Sequence, residues 1–189
     1  MSEIYLMNVQ FLEIENNFWN KFLKKLKKNE VEKINYFLLE KQKKLSFASL
    51  YLQYTIINLY TNKKHIDIKK TKYGKPYIDK IYYNVSHDKE LCGIVVNNHS
   101  NVGIDIMSLD RIIDKSVIEN VFTSHEINNN KDFLKLWCLK ESYLKAIGIG
   151  LNYDLKRLEF VIENKILLYI DKILQDEYNF DILNQAHSR

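Results

Sequence analysis

A single proline, five glycines and two cysteines are spread through 189 residues. The cysteines, Cys92 and Cys138, stand in unrelated contexts, with no CxxC pair and no Cys/His ligand spacing, so a structural zinc site is not expected. Two free thiols fit a reducing compartment, and a cytoplasmic location is expected. The glycines of AIGIGL (146–151) lack GxGxxG spacing, which excludes a dinucleotide fingerprint. No apolar run approaches the length that crosses a bilayer. The opening MSEIYLMNVQFLEIENN carries acids and no basic stretch ahead of an apolar run, so it does not read as a signal peptide. A Pro- or Ser-rich linker is also missing.

Excess charge of one sign is small. The net charge is +4, which suits an anionic small ligand or an acidic partner and does not by itself imply nucleic acid. Most of the excess lies in KFLKKLKK (21–28), KQKK (41–44) and KKTKYGK (69–75). These lysines follow the solvent faces of helices and lack a base-stacking or recognition motif, so neither nucleic acid nor membrane is an expected partner.

What remains is an ordinary globular composition, 46% apolar and 28% charged. Residues 4–14 alternate as a strand. Phe18, Phe22 and Leu26 recur at helical spacing, and Leu45 to Leu59 supply a long apolar face. KYGKPYI (72–78) is a turn, followed by strand-like IYYNVSHD, LCGIVVNN and NVGIDIMS. A helix is predicted over 114–127, a second over LWCLKESYLKA, and then two strands around a Glu163–Asn164 turn. The alternation argues α+β. Two similar lobes, residues 1–100 and 101–189, with a ligand cleft between them, are the expected organisation, and a monomer is expected because one chain already makes the cleft.

Five short segments concentrate the chemistry: YGKPY with Lys75, NVSHD with Ser86 and His87, VGIDIM with Asp105, VFTSHE with Glu126, and WCLKESYLKA with Glu141 and Lys145. Asp105 between two isoleucines needs a partner or a metal. Glu141 and Lys145 share one helix face, while Lys140 points about 100° away from Glu141. Two carboxylates completed by phosphate oxygens and water form the usual magnesium site. His87 and Lys75 are further donors to an anion. Alone, each piece has a plain structural reading: an i,i+4 ion pair, a capping aspartate, a loop Ser–His pair without a nucleophile elbow.

In this order the five segments resemble the 4′-phosphopantetheinyl transferase superfamily, of the larger, Sfp type. The matching residues are Gly74-Lys75-Pro76, Asn84-Val85-Ser86-His87, Val102-Gly103-Ile104-Asp105, Phe122 to Glu126, and Trp137 to Lys145, within about residues 30–170. The resemblance implies transfer of the phosphopantetheine arm of coenzyme A to a serine of an acyl, peptidyl or aryl carrier protein, leaving adenosine 3′,5′-bisphosphate. It implies Mg²⁺ on Asp105 and Glu141, Lys145 on a phosphate oxygen, and Lys75, Ser86 and His87 on the nucleotide half. It also implies Lys43 and Lys44 near the 3′-phosphate, and Glu126 as general base toward the carrier serine, with a magnesium-bound water network as its rival. Many members carry a second acid where this chain has Met107, and a thioether is a poor ligand for a hard cation. A raised magnesium requirement is therefore expected. A catalytically weak coenzyme A or nucleotide-binding relative is the alternative.

Overall fold

The computed structural model describes residues 2–61, 66–130 and 132–184. The first half opens with strand β1 (Glu3–Asn8) and helices α1 (Asn17–Leu23), α2 (Lys28–Tyr36) and α3 (Glu40–Thr61). Strands β2 (Lys69–Lys70), β3 (Pro76–Tyr77), β4 (Tyr82–Asp88) and β5 (Leu91–Asn97) follow. The second half contains α4 (Lys115–Val121), α5 (Ser124–Asn129) and α6 (Phe133–Ile147), then β6 (Leu158–Ile162), β7 (Ile166–Ile170) and β8 (Ile173–Leu174). Helices and small antiparallel sheets are thus mixed, and the fold is α+β.

β1, β5 and β4 form one antiparallel sheet in that order, with β5 central and largely buried. Strand alternation sends Tyr83, Cys92, Ile94 and Val96 to one face, where they pack on Leu45, Ala48, Leu52, Ile56 and Ile57 of α3. Trp19 stacks on Phe47 with ring centroids 4.0 Å apart and joins Phe22 and Ile34 beneath the other side of α3. A separate cluster, Phe122, Leu136, Leu139, Leu144, Leu158, Phe160 and Leu168, holds α6 against the β6-β7-β8 sheet. The lysines of 21–28 are exposed, as expected of a solvent face.

Three boundaries differ from the sequence-based expectation. The first strand ends at Asn8, because the Asn8 side chain accepts from Gln10 N at 2.8 Å and turns the chain. The helix expected over 114–127 is two helices. Thr123 caps α5: its hydroxyl accepts from Glu126 N while the Glu126 side chain accepts from Thr123 N, a reciprocal pair that restarts the helix. The third difference is residues 102–108, read as a strand, which join no sheet. Amides of Ile104, Ile106 and Ser108 are taken instead by side chains of β4.

Gly103 sets how closely this segment meets α6. A Cβ there would lie 1.9 Å from Ser142 O and 2.6 Å from Ala146 N, both backbone atoms that cannot swing aside. Gly103→Ala is therefore expected to cost about 3 kcal/mol, at the upper end of overpacking penalties, read as a fall in the denaturant midpoint at unchanged slope.

Candidate active site

Helix α6 has a charged stretch in its middle because two of its faces are buried against different things. It starts at Asp132, whose side chain accepts from Lys135 N at 3.1 Å, and ends at Gly148, which has φ 75° and donates to Leu144 O. Leu139 and Leu144 are buried in the second-half core, with Trp137 packed against it. Glu141 and Lys145, one turn apart, face segment 102–108 and β4.

There Lys145 Nζ lies 2.5 Å from Asp105 Oδ1 and 3.0 Å from Ser86 Oγ. The Ser86 hydroxyl donates to Asp105 Oδ1 at 3.2 Å and accepts from Ile106 N at 3.2 Å. The Asp105 side chain is only 8% exposed and that of Lys145 27%, so the pair is screened little by water. Glu141 Oε1 is buried and has no hydrogen-bond partner. Burial raises the Glu141 carboxyl above its ordinary value; Lys145 opposes this and the Asp105 charge adds to it. The Asp105 and Glu141 carboxylates thus repel each other beside one ammonium.

This donor set fits a hard divalent cation. Among the described residues no group of three or more His, Cys, Asp or Glu converges. A cation held by Asp105 and Glu141 would complete its shell with water and the oxygens of an anionic ligand, as magnesium does in phosphate sites. The buried, unpartnered oxygen of Glu141 is the group such a cation would satisfy. Met107, two residues beyond Asp105, is half-buried.

Other expected site residues lie around this cluster. Lys75 reaches α6 from the β2–β3 turn, donating to Ala146 O at 2.6 Å and Val102 O at 3.4 Å, with its stem over Gly148. It meets the negative end of the helix dipole. Burial pushes its ammonium down to about 8, and it borders a cavity of about 300 Å³ with Tyr77, Tyr83 and Asn101. His87, next to Ser86 on β4, is on the opposite strand face and is held below its ordinary value by desolvation, then by Lys145 and Lys33, with Asp88 opposing. Lys43 and Lys44 lie in the first turn of α3; Lys44 pairs with Glu40 at 2.7 Å.

Glu126 is not part of this cluster. Its side chain is fully buried, and both oxygens are occupied. Oε1 accepts from Phe160 N at 2.9 Å; Oε2 accepts from Thr123 N at 2.9 Å and from Lys140 Nζ at 2.7 Å. Lys140 also lies within hydrogen-bond distance of the carbonyls of Val121, Leu155 and Leu158 and sits 5.1 Å from the Phe122 ring centre. Burial pushes its ammonium down, against the pull of Glu126. The adjacent residues Lys140 and Glu141 thus meet different surroundings, one the buried core carboxylate of Glu126 and the other the charges of Asp105 and Lys145.

Two residues inside the matched segments were given no role there. Cys138 is one turn before Glu141 and two before Lys145, on the same helix face. Burial raises its thiol, and its hydrogen bond and charge contact with Asp105 add to the effect. The helical spacing was the available signal. Asn84 is buried and holds Ile104 N at 3.0 Å; its place in the Asn84-Val85-Ser86-His87 segment, two residues before Ser86 in a strand, was the signal.

Comparison with known proteins agrees with the motif order. A family model described as 4′-phosphopantetheinyl transferase superfamily matches residues 101–187, and one described as 4′-phosphopantetheinyl transferase, N-terminal, matches residues 14–99. The chain is 29% identical over 177 residues to an L-aminoadipate-semialdehyde dehydrogenase-phosphopantetheinyl transferase of Xenopus laevis, covering 80% of this chain and 58% of that one. It is 36% identical over 109 residues to the 4′-phosphopantetheinyl transferase gsp of Aneurinibacillus migulanus, covering 52% and 45%. It is 25% identical over 186 residues to a phosphopantetheinyl transferase of Thraustochytrium sp., covering 82% and 65%. The chain therefore spans between 45% and 65% of the length of these relatives. No helix among the described residues is long and apolar enough to cross a membrane.

Proposed function

The chain belongs to the 4′-phosphopantetheinyl transferase superfamily, and on that footing we propose that it moves the phosphopantetheine arm of coenzyme A onto a serine of a carrier protein. The observation that carries this reading is the Ser86–Asp105–Lys145 contact beside the unpartnered oxygen of Glu141. An ammonium and two carboxylates packed this closely make little sense as a stabilising device. They make sense as a receiver for a charged diphosphate and its cation.

Residues 1–100 and 101–189 form the two lobes, with the cluster in the cleft between them. Asp105 and Glu141 would hold Mg²⁺, which lowers the negative charge of the pyrophosphate and so eases attack on it. Lys145 is placed to neutralise an oxygen of the group that departs. Ser86 fixes the rotamers of both Asp105 and Lys145. The carrier serine oxygen forms a bond to the pantetheine-side phosphorus as the bond to adenosine 3′,5′-bisphosphate breaks, and the serine proton leaves. Both Glu126 oxygens are committed in the core and Glu141 is reserved for the cation, so the serine proton passes to water at the cluster. Lys75 and His87 border the nucleotide half, and Lys43 and Lys44 lie toward its 3′-phosphate. The carrier protein is the partner, the chain acts as a monomer, and the cytoplasm supplies both substrates.

The test is mass spectrometry of an apo carrier protein incubated with this protein, coenzyme A and Mg²⁺. A phosphopantetheine mass gain supports the reading. Coenzyme A binding with no gain across several carriers would favour a binding-only relative, and Met107 would be the first residue to change.

The Lys75 ammonium gives a pH prediction. Its folded value, about 8, lies below the ordinary 10.5. The unfolded chain therefore binds more protons between these values, and this residue's contribution to stability rises over that interval. Anion binding runs the other way, because it needs the charged form. Calorimetric affinity for coenzyme A is expected to fall about tenfold from pH 7 to 9. Lys75→Arg should flatten that fall; a fall of equal size in the variant would remove Lys75 from the anion site.

A further inference from the structure

Segment 104–108 carries Asp105 but has no neighbouring strand to set its height or register. Its support is a row of side chains. Ile104 N donates to Asn84 Oδ1 at 3.0 Å, Ile106 N to Ser86 Oγ at 3.2 Å, and Ser108 N to Asp88 Oδ2 at 2.8 Å. The acceptors are every second residue of β4 and so share one face. The donors are every second residue of the segment, in the same direction along the chain. Three rungs therefore replace the backbone ladder of a sheet. A backbone ladder repeats identically every two residues, so its hydrogen bonds alone do not tell apart registers two residues away. Here the Ser hydroxyl reaches one bond less far than the Asn and Asp oxygens on either side of it, so sliding the segment by two residues along β4 mismatches the rungs.

The middle rung belongs to the cluster already described, since Ser86 touches Asp105 and Lys145. The Asn84 rung differs: it contacts the peptide immediately before Asp105, not the carboxylate. Asn84 is 6% exposed, so its amide oxygen has no water to fall back on. On the other side of the segment, Gly103 lies hard against α6, the helix that carries Glu141 and Lys145. The Asp105 backbone is thus clamped between a side-chain rung and a helix backbone.

We propose that Asn84 is a positioning residue, whose amide oxygen holds the Ile104 peptide and thereby places the Asp105 carboxylate for the cation it shares with Glu141. The cation rests on the function proposed above, but the rung does not. Residues that orient a ligand without touching the metal typically change its affinity ten- to a hundredfold when removed.

The experiment compares the wild-type protein with Asn84→Leu, which keeps the volume and loses the acceptor, and Asn84→Asp, which keeps the acceptor. Mg²⁺ is titrated calorimetrically into the protein alone and with coenzyme A, and amide exchange is followed at Ile104. Asn84→Leu should weaken Mg²⁺ at least tenfold, speed exchange at Ile104, and leave coenzyme A affinity without Mg²⁺ within about twofold. Asn84→Asp should restore most of the Mg²⁺ affinity. Asn84→Ser, with its shorter acceptor, provides the same comparison if Asn84→Leu does not fold. Faster exchange at Ile104 with unchanged Mg²⁺ affinity would overturn the proposal, as would a wild-type protein that binds no Mg²⁺ under either condition. If wild-type protein transfers nothing to any carrier while Mg²⁺ affinity still depends on the Asn84 acceptor, the positioning role stands and the transferase reading falls.

Discussion

Glu141→Gln should abolish transfer and at the same time make the metal-free protein more stable at neutral pH. The two effects come from one atom. Glu141 Oε1 is buried without a partner, and burial raises the carboxyl above its ordinary value. Above the ordinary 4.5, the unfolded chain carries this group ionised at no cost, while the folded chain must either hold a buried charge or keep a proton. The folded state then binds more protons, so the group favours folding below 4.5 and that contribution is lost as pH rises through the higher folded value. A neutral amide avoids the charge burial. The gain in midpoint should therefore be present at pH 7 and absent near pH 4. Loss of a cation ligand should lower turnover by about a thousandfold. Added Mg²⁺ should stabilise the wild type and not the variant. A variant that transfers at the wild-type rate would remove Glu141 from the chemistry, and one less stable at pH 7 would mean that Glu141 has a partner in the fold.

The second large effect is expected at Glu126 and Lys140, and it is structural. Removing either partner of a fully buried ion pair leaves the other uncompensated, at a cost of about 3–5 kcal/mol. That is a large share of the stability of a chain this size. Glu126→Gln and Lys140→Met should each lower the denaturant midpoint strongly, and the protein that remains folded at low temperature should keep its turnover. The double replacement by apolar residues should recover only part of the loss. It removes the charges but strands the amides of Thr123 and Phe160 and the carbonyls of Val121, Leu155 and Leu158. Were Glu126 the general base, the pattern would invert: Glu126→Gln would fold with the wild-type midpoint and lose turnover about a hundredfold or more.

These two cases mark where sequence reading stops. Glu126 and Glu141 both lie in helices and both have lysine neighbours. The carboxylate of one is occupied by three groups of its own core, the Phe160 and Thr123 amides and the Lys140 ammonium. The other has an empty oxygen. The one local difference is the Thr123–Glu126 cap; the rest is what packs opposite each helix.

Local geometry was legible wherever it is fixed by chain periodicity. The α+β class, the helix carrying Glu141 and Lys145, and the hairpin around Glu163 follow from spacing and turn residues in the sequence itself. The 3.6-residue repeat places Glu141 and Lys145 on one face and turns Lys140 away, whatever surrounds the helix. Segment 102–108 looked like a strand because Val102, Ile104 and Ile106 alternate with small or polar residues. Alternation reports an extended chain with one apolar side; it does not report whether backbone or side chains take its amides. Only the tertiary structure decided that Asn84, Ser86 and Asp88 do so, that Gly103 touches α6, and that Ser86, Asp105 and Lys145, 59 residues apart at their extremes, meet within hydrogen-bond distance. The sequence determined which residues could do the chemistry. Packing between distant segments determined which of them keep an atom free to bind, because a carboxylate whose oxygens are all taken by its own core, like Glu126, has none left for a ligand, while Glu141 has one.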